Sequence, residues 1–217
     1  MVYLPNLIVF EGVDGCGKTT QARKLAERLQ AEWLTQEPSH NVIGEFLRKE
    51  VLSGKKQLDT KTVARLFATD RAVHLSEIKD KTGFVVCDRY IVSNIAYQGM
   101  DDKALEDFVV EQNKDFEVPA VTIYLRVDPV EVPKLFQRVE SRGAPEEIFD
   151  KVEVQQKLAQ RFDDILLDKN KYYSKQVFVV NAMKGAEDIA DEIWSFLRNL
   201  INGTDFVFKT NTCFEIS

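Results

Sequence analysis

The sequence Gly-Val-Asp-Gly-Cys-Gly-Lys-Thr at residues 12–19 decides the fold of this 217-residue chain. It matches the phosphate-loop pattern G-x-x-x-x-G-K-[ST]. An apolar run at residues 7–10 precedes it, and apolar or small residues at helical spacing follow it, among them Ala22, Leu25 and Leu29. A buried strand therefore leads into the loop and a helix leads out of it. That context separates a phosphate loop from a chance glycine-rich turn.

Each type of residue in the loop has a physical task. The glycines let the backbone curl so that successive N–H groups point at phosphate oxygens, and the start of the following helix adds positive potential. The lysine reaches the β- and γ-phosphates of ATP, and the next hydroxyl binds Mg²⁺. The candidate ATP-binding residues here are Gly12, Gly15, Gly17, Lys18, Thr19 and Thr20.

The composition excludes several classes of function. The net charge is −6, whereas a general nucleic-acid-binding protein shows a basic surface, so we expect no nucleic-acid partner. No apolar run approaches the roughly 18 residues that span a bilayer, so we expect no membrane segment. The apolar N-terminal stretch runs directly into the loop, and we interpret it as a core strand rather than a signal peptide.

The cysteines favour a reducing compartment. Cys16, Cys87 and Cys213 are an odd number without paired spacing, and with only His40 and His74 besides, no zinc site is indicated. Reduced thiols are typical of a cytoplasmic protein, and we expect that location.

The rest of the chain alternates strands with helices. Short apolar runs predict strands at residues 7–10, 33–36, 84–87, 121–125 and 177–180. Helical spacing predicts helices at residues 19–31, 42–52, 62–78, 104–112 and 129–140, from about 151 to 168, and at 189–200. The expected fold class is α/β, a P-loop NTPase three-layer fold with a five-stranded parallel sheet and helices on both faces.

The predicted organisation is a single domain at residues 1–202, with a mobile lid at about 141–151. Residues 203–217 form a C-terminal tail of unknown role. Its apolar residues alternate with polar ones, so it is open whether the tail adds an edge strand or packs on a partner.

A second candidate site follows the predicted strand at residues 84–87. Ligands gather at the carboxyl ends of strands in open α/β sheets, and Asp88 and Arg89 stand there. Asp88 is placed to act on Mg²⁺ and Arg89 to clamp a phosphate; the alternative is a surface ion pair. The chain lacks the Asn-Lys-x-Asp base reader of a GTPase, because the near match at residues 113–115 has its acid one position too early.

Four stretches of sequence, taken together, carry a family resemblance. They are E-G-V-D-G-C-G-K-T-T-Q at residues 11–21, T-Q-E-P at 35–38, L-F-A-T-D-R at 66–71 and D-R-Y-I-V-S-N-I-A-Y-Q-G at 88–99. In this order and spacing they resemble the thymidylate kinase (dTMP kinase) family of P-loop nucleoside monophosphate kinases, to about residue 200. The resemblance implies phosphoryl transfer from ATP to dTMP, Mg²⁺ as a cofactor, and a homodimer.

The resemblance also implies roles in an acceptor site. Phe67 stacks on the thymine, and Arg71, one helical turn later, hydrogen-bonds its carbonyl edge. Tyr97 lies against the 2′ position of the sugar, and Asp14 lies near the 3′-hydroxyl. Taken singly, a phenylalanine, arginine or tyrosine at these positions is more often structural than ligand-binding. Their occurrence together in the family arrangement favours the ligand-binding interpretation. The candidate acceptor-binding residues are Asp14, Pro38, Arg48, Phe67, Arg71, Arg89, Asn94 and Tyr97, with Pro38 often preceded by a cis bond in this family.

One position departs from the family pattern. Family members commonly supply the charge that stabilises the transferring phosphoryl group from an arginine after the loop aspartate or from basic residues in the lid. Here the first position is Gly15, and the lid is largely acidic after Gly143. Arg138 and Arg142 remain, and we expect Arg142 to contribute more. The candidate catalytic residues are Asp14, Lys18, Arg89 and Arg142, while Arg138 joins the ATP-binding set and Thr19 and Asp88 form the metal set.

Two other functions stay open from the sequence. A related kinase of dGMP or dUMP needs only a changed hydrogen bond or two in the base pocket. A non-kinase P-loop ATPase or nucleotide switch shares the loop, although it needs no acceptor site.

Overall fold

The computed structural model describes residues 2–100, 102–141, 152–167 and 173–203. The lid residues 142–151 and the tail residues 204–217, for which organisation and role were predicted above, lie outside the described residues. The five strands of the sheet are β1 (Tyr3–Glu11), β2 (Trp33–Gln36), β3 (Val85–Asp88), β4 (Val118–Arg126) and β5 (Gln176–Asn181). They are all parallel, in the order β2-β3-β1-β4-β5, which confirms the predicted fold class.

Eight α-helices surround this sheet in the described part of the chain. They are α1 (Lys18–Leu29), α2 (Val42–Phe46), α3 (Thr60–Lys79), α4 (Ile91–Gln98), α5 (Lys103–Asn113), α6 (Val132–Glu140), α7 (Val152–Leu166) and α8 (Ala186–Asn202). Helix α1 packs on α8, and α4 packs on α3, α5 and α7. Within the described ranges no helix combines the length and apolar character that a bilayer crossing requires.

The central strands explain why the sequence reads as continuous apolar runs. Residues 7–10 of β1 are fully buried, as are Val121 and Ile123 of β4, because helices cover both faces of a parallel sheet. Each such side chain contributes about 1.5–3 kcal/mol when it leaves water. This buried centre fixes the strand ends that carry the site.

The strand register brings three chain segments to one edge of the sheet. Phe10 of β1 and Gln36 of β2 both pair with Asp88 at the end of β3. The phosphate loop after β1, the turn after β2 and the residues after β3 therefore lie side by side. This is the edge at which open α/β sheets bind ligands.

Helix α4 was not among the predicted helices. Its residues 91–96 are all buried and its polar side chains Ser93, Asn94 and Gln98 line the cavity described below, so the segment lacks the solvent-exposed polar face that marks a surface helix in a sequence. Its N-cap residue, Tyr90, makes no side-chain cap. The carboxylate of Glu11 replaces it: Oε1 accepts from the backbone N–H groups of Tyr90 (2.9 Å) and Ser93 (3.1 Å). Burial raises the pKa of Glu11, although the Ser93 hydroxyl and both N–H groups oppose that rise.

Two further segments are less regular than predicted. The helix expected at residues 42–52 is a short α2 that continues as a π-helix, Leu47–Val51. The helix expected at 129–140 opens as a 3₁₀ turn, Pro129–Glu131, before α6 begins. Short π-helical segments occur often near functional sites, and this one adjoins the acceptor side of the site described below.

Candidate active site

The phosphate loop turns sharply between β1 and α1. Gly12 has φ +145°, and a Cβ there would lie 2.7 Å from the carbonyl oxygen of Leu125 on β4. Gly15 has φ +75°, and a Cβ there would lie 3.1 Å from a methyl of Val139 on α6. Both positions need a backbone that L side chains rarely adopt, and Gly12 also needs the space. The loop geometry therefore depends on glycine at these two positions.

The loop lysine is folded onto its own loop. Lys18 is buried, and its Nζ donates to the carbonyl oxygens of Gly12 (3.0 Å) and Val13 (2.7 Å). Around it lies a groove of about 310 Å³. The groove is lined by Asp14, Gly15, Gly17, Lys18, Thr19, Thr20, Asp88, Arg89 and Val139. A nearly buried ammonium inside a loop of backbone N–H groups suits a phosphate anion.

Thr19 and Asp88 form the candidate metal site. The Thr19 hydroxyl donates to Asp88 Oδ2 at 2.5 Å. Asp88 is buried, which argues against the alternative interpretation of Asp88 and Arg89 as a surface ion pair. Its Oδ1 is buried without a hydrogen-bond partner among the described residues. A buried carboxylate oxygen left unsatisfied is costly, and a cation would satisfy it.

Thr19 and Asp88 supply too few ligands for a metal ion that the protein binds by itself, but they suit Mg²⁺, which takes its other ligands from phosphate and water. The described residues contain no group of three or more His, Cys, Asp or Glu side chains that could hold an ion. Mg²⁺ usually binds through one or two protein oxygens, phosphates and water, and Thr19 with Asp88 offers that number.

Asp14 is held by three different elements. Its Oδ1 pairs with Arg89 Nη2, and its Oδ2 accepts from Tyr97 of α4 (2.9 Å) and from Gln155 Nε2 of α7 (3.0 Å). Burial acts to raise the pKa of Asp14, but the charges of Arg89 and Lys18 and the two hydrogen bonds lower it to about 2. Asp14 is therefore a fixed carboxylate at neutral pH.

Arg89 is fixed on its backbone as well as its side chain. It has φ +72°, which is uncommon for a residue with a side chain, and its N–H donates to Phe10 O at 2.9 Å. The guanidinium lies over the ring of Tyr97, 5.2 Å from its centroid. The strain and the contacts aim this cation at the space beside Asp14.

A cavity of about 280 Å³ opens on the other side of Asp14 and Arg89. It is lined by Asp14, Glu37, Pro38, Leu52, Phe67, Arg71, Arg89, Tyr90, Ser93, Asn94, Tyr97 and Gln98. Seven of the eight predicted acceptor-binding residues are in this set. Phe67 and Arg71 do share one face of α3, and the Glu37–Pro38 peptide bond is cis, as the resemblance implies.

The polar wall of this cavity is bonded into the protein. Arg71 is fully buried; its Nη2 pairs with Glu37 Oε2 at 2.5 Å and its Nη1 donates to Asn113 Oδ1. Asn113 donates in turn to Asn94 Oδ1 at 2.9 Å, and Asn94 donates to Gln98 at 3.0 Å. The network fixes the orientation of the Asn94 amide, because its Oδ1 accepts from Asn113 and its Nδ2 donates to Gln98.

The predicted arginines outside this wall have different positions. Arg48 pairs with Glu45 at 2.7 Å, donates to the Pro38 carbonyl, and is not among the described residues that line the acceptor cavity. Arg138 donates to Met183 O at 2.8 Å and lines a pocket of about 90 Å³ beside Gly15 and Thr20. Arg142 lies outside the described residues, so its catalytic role stays a prediction.

Some site residues escaped the sequence analysis. Gln155 bonds both the backbone N–H and the carboxylate of Asp14, yet it lies 141 positions away in a helix without a motif. Asn113 belongs to an incomplete GTPase motif, which gives no signal for an acceptor site. Glu37 directly precedes Pro38 in the T-Q-E-P stretch, and this position is the signal that could have marked it as a site residue.

A phosphate loop at the strand ends, with an acid, an arginine and a second cavity beside it, is the arrangement of a P-loop enzyme that transfers a phosphoryl group to a bound acceptor. Comparison with known proteins identifies the family. Residues 10–193 match the family model described as thymidylate kinase. The chain therefore belongs to the thymidylate kinase family, which confirms the resemblance and the kinase class; the dGMP, dUMP and non-kinase alternatives are not favoured.

Relatives from distant organisms support this assignment. The chain is 41% identical over 193 residues to a probable thymidylate kinase of Methanococcus maripaludis, covering 87% of this chain and 92% of the relative. It is 37% identical to the thymidylate kinase of Onion yellows phytoplasma over 209 residues, covering 89% and 97%. A solved structure of thymidylate kinase from Candida albicans superposes with a TM-score of 0.74 at 23% identity, covering 91% and 92%, which supports the fold.

Proposed function

We propose that this chain transfers the γ-phosphoryl group of ATP to dTMP, giving ADP and dTDP for dTTP synthesis. One observation carries the proposal: the phosphate-loop groove and the acceptor cavity share Asp14 and Arg89 as lining residues. A donor phosphate in the groove and an acceptor phosphate in the cavity would meet at this pair. Holding two reactants in line is the main contribution of a protein to phosphoryl transfer.

On the donor side, Lys18 leaves its loop carbonyls to bind the β- and γ-phosphates, and Thr20 and the loop N–H groups hold the remaining oxygens. The adenine lies against Arg138 in the 90 Å³ pocket. Thr19 and Asp88 hold Mg²⁺, which when bound neutralises part of the phosphate charge. The unpartnered Asp88 Oδ1 supports that assignment.

A titration tests the metal assignment. Thr19→Ala and Asp88→Asn each remove one oxygen donor, so we expect both variants to need a higher Mg²⁺ concentration for half-maximal rate. Glu27→Gln, at an exposed position of the same helix α1, is the control, with an unchanged Mg²⁺ requirement. An unchanged requirement in Asp88→Asn would show that the metal is held elsewhere.

On the acceptor side, Phe67 stacks on the thymine, Arg71 and Asn94 bond its edge, and Pro38 forms part of the wall. Tyr97 excludes a 2′-hydroxyl, and Asp14 lies near the 3′-hydroxyl. Arg89 binds the acceptor phosphate, and Arg48 exchanges its bond to the Pro38 carbonyl for the same phosphate. The acceptor phosphate is already ionised, so the transfer needs no strong general base.

The charge that develops on the transferring group is stabilised by Lys18, Arg89 and Arg142. Gly15 leaves the loop without an arginine of its own, so the lid supplies one. Closure of the lid over the phosphates excludes water and limits ATP hydrolysis.

A coupled assay with ATP and a panel of monophosphates tests the whole proposal. We expect turnover with dTMP and much slower turnover with dGMP, dUMP and the ribonucleotides. Turnover with dGMP but not dTMP would overturn the substrate assignment. ATP turnover that needs no acceptor would overturn the kinase assignment of the site.

We also propose that the protein is a cytoplasmic homodimer. The two cysteines in the described part of the chain, Cys16 and Cys87, are buried free thiols, which suits a reducing compartment. The family resemblance supports the dimer, and sedimentation equilibrium at several concentrations tests it, with a monomer mass as the contrary result.

A further inference from the structure

His74 lies directly behind the wall of the acceptor cavity. It stands in α3 and is fully buried, and it is not among the described residues that line the cavity. Its Nδ1 lies 3.2 Å from Glu37 Oε1, and its Nε2 lies 2.8 Å from Thr35 Oγ1. Trp33 packs edge-on against the ring at 5.4 Å between centroids. Of the two hydrogen-bond partners of His74 among the described residues, Glu37 is the one that lines the cavity.

The partners of the ring determine the direction of the bond to Glu37. A carboxylate accepts hydrogen bonds and does not donate, so His74 Nδ1 carries a hydrogen and donates it to Oε1. The other oxygen, Oε2, pairs with Arg71 at 2.5 Å. Both oxygens of Glu37 are thus engaged, one by a residue of the cavity wall and one by a residue behind it.

Glu37 cannot hold this orientation by its own torsions. The last torsion of a glutamate side chain is broad and has no sharp minima. Without the bond to His74, the carboxylate could rotate, break its alignment with Arg71 and turn one oxygen into the cavity. An oxygen turned that way would repel an anionic ligand and leave Arg71 poorly directed.

Arg71 keeps N–H groups for a ligand, because a guanidinium carries five of them and its protein partners do not take them all. Its Nη1 is bonded to Asn113 and its Nη2 to Glu37, while its Nε is buried without a partner among the described residues. The position of Nε depends on the two bonds that fix the guanidinium plane. His74 holds one of those two bonds in place through Glu37.

We propose that His74 is a positioning residue for the acceptor nucleotide, which through Glu37 holds Arg71 in the orientation that binds the base. This inference rests on the proposed function of the cavity. When Arg71 loses its orientation, its hydrogen bond to the base is lost. A hydrogen bond to a charged group is worth at least about tenfold in affinity, so this loss should appear in the KM for dTMP. The KM for ATP should not change, because the phosphate loop is not in this network.

Three substitutions separate positioning from packing. His74→Leu fills the space without a donor, so we expect the KM for dTMP to rise about tenfold with kcat less affected. His74→Asn places an amide nitrogen near the position of Nδ1 and should restore most of the affinity. His74→Gln reaches toward Thr35 instead and should not restore it. Leu75→Val, the buried apolar neighbour, controls for loss of core packing.

The outcomes are distinct. A wild-type KM in His74→Leu, or an equal rise in Leu75→Val, overturns the inference. If His74→Leu does not fold, the imidazole NMR signals of the wild-type protein decide: a hydrogen on Nδ1 supports the inference, and its absence overturns it. The wild-type enzyme is measured first. If it fails to phosphorylate dTMP, the proposed function is refuted and not the inference about His74.

Discussion

Asp14 offers the sharpest test of the site's electrostatics, because its stabilising contribution should depend on pH. The change is Asp14→Asn, which keeps the size of the side chain and removes its charge. In the folded protein the pKa of Asp14 falls from 3.8 to about 2, and at 1.36 kcal/mol per unit this shift corresponds to about 2 kcal/mol. The side chain is 30% exposed, so salt should reduce this value.

The sign of the effect follows from the lowered pKa. A group of this kind contributes its stability above its unfolded pKa and loses it as the pH falls through the folded pKa. Wild-type protein should therefore exceed Asp14→Asn by about 2 kcal/mol in the free energy of unfolding at pH 7. The difference should shrink between pH 4 and pH 2, where the wild-type carboxyl takes up its proton.

Urea unfolding followed by circular dichroism at pH 7, 4 and 2.5 measures this difference. Asp107→Asn is the matched control, since Asp107 pairs with Lys103 on the surface and should contribute under about 1 kcal/mol. The reasoning is refuted if Asp14→Asn matches the wild type at pH 7, or if the difference persists unchanged at the lowest pH.

Three further predictions concern single residues. Gly15→Ala should lower the free energy of unfolding by about 1–2 kcal/mol in the same urea assay, because its φ of +75° strains a side chain beside Val139. Gly54→Ala is the control: its φ is +76° but its surroundings are open, so the difference between the two variants isolates the contact with Val139. Phe67→Ala should raise the KM for dTMP about tenfold through lost stacking, with the KM for ATP unchanged, and equal changes in both would refute the stacking role. Arg142→Ala should lower kcat by at least about 100-fold, and more than Arg138→Ala does; a wild-type kcat would assign the charge to another group.

Local motifs account for most of what the sequence predicted. The loop at residues 12–19 and the pair Asp88 and Arg89 are each contiguous, and their chemistry follows from residue type and from the strand before them. The sheet was predictable because buried parallel strands are continuous apolar runs. These features depend on neighbours in sequence, which a single chain displays directly.

The parts that were missed depend on contacts distant in sequence or on burial that hides periodicity. Helix α4 has eight residues and no solvent-exposed polar face, so its helical period is weak in the sequence. Gln155 meets Asp14 only after the sheet and α7 have packed. The Arg48 side chain is directed toward Glu45 and the Pro38 carbonyl and not into the cavity. Residue type alone does not show which partner an arginine takes.

The cap that Glu11 supplies to α4 has a consequence for the order of assembly. Helix α4 has eight residues, too few to be stable alone, and the acceptor for its first N–H groups comes from a strand about 80 positions earlier. We therefore expect the pairing of β1 with β3, which brings Glu11 to the first turn of α4, to stabilise this helix. Asn94 and Tyr97 lie on that helix, so we expect the site for the nucleotide that is to be phosphorylated to form after the sheet.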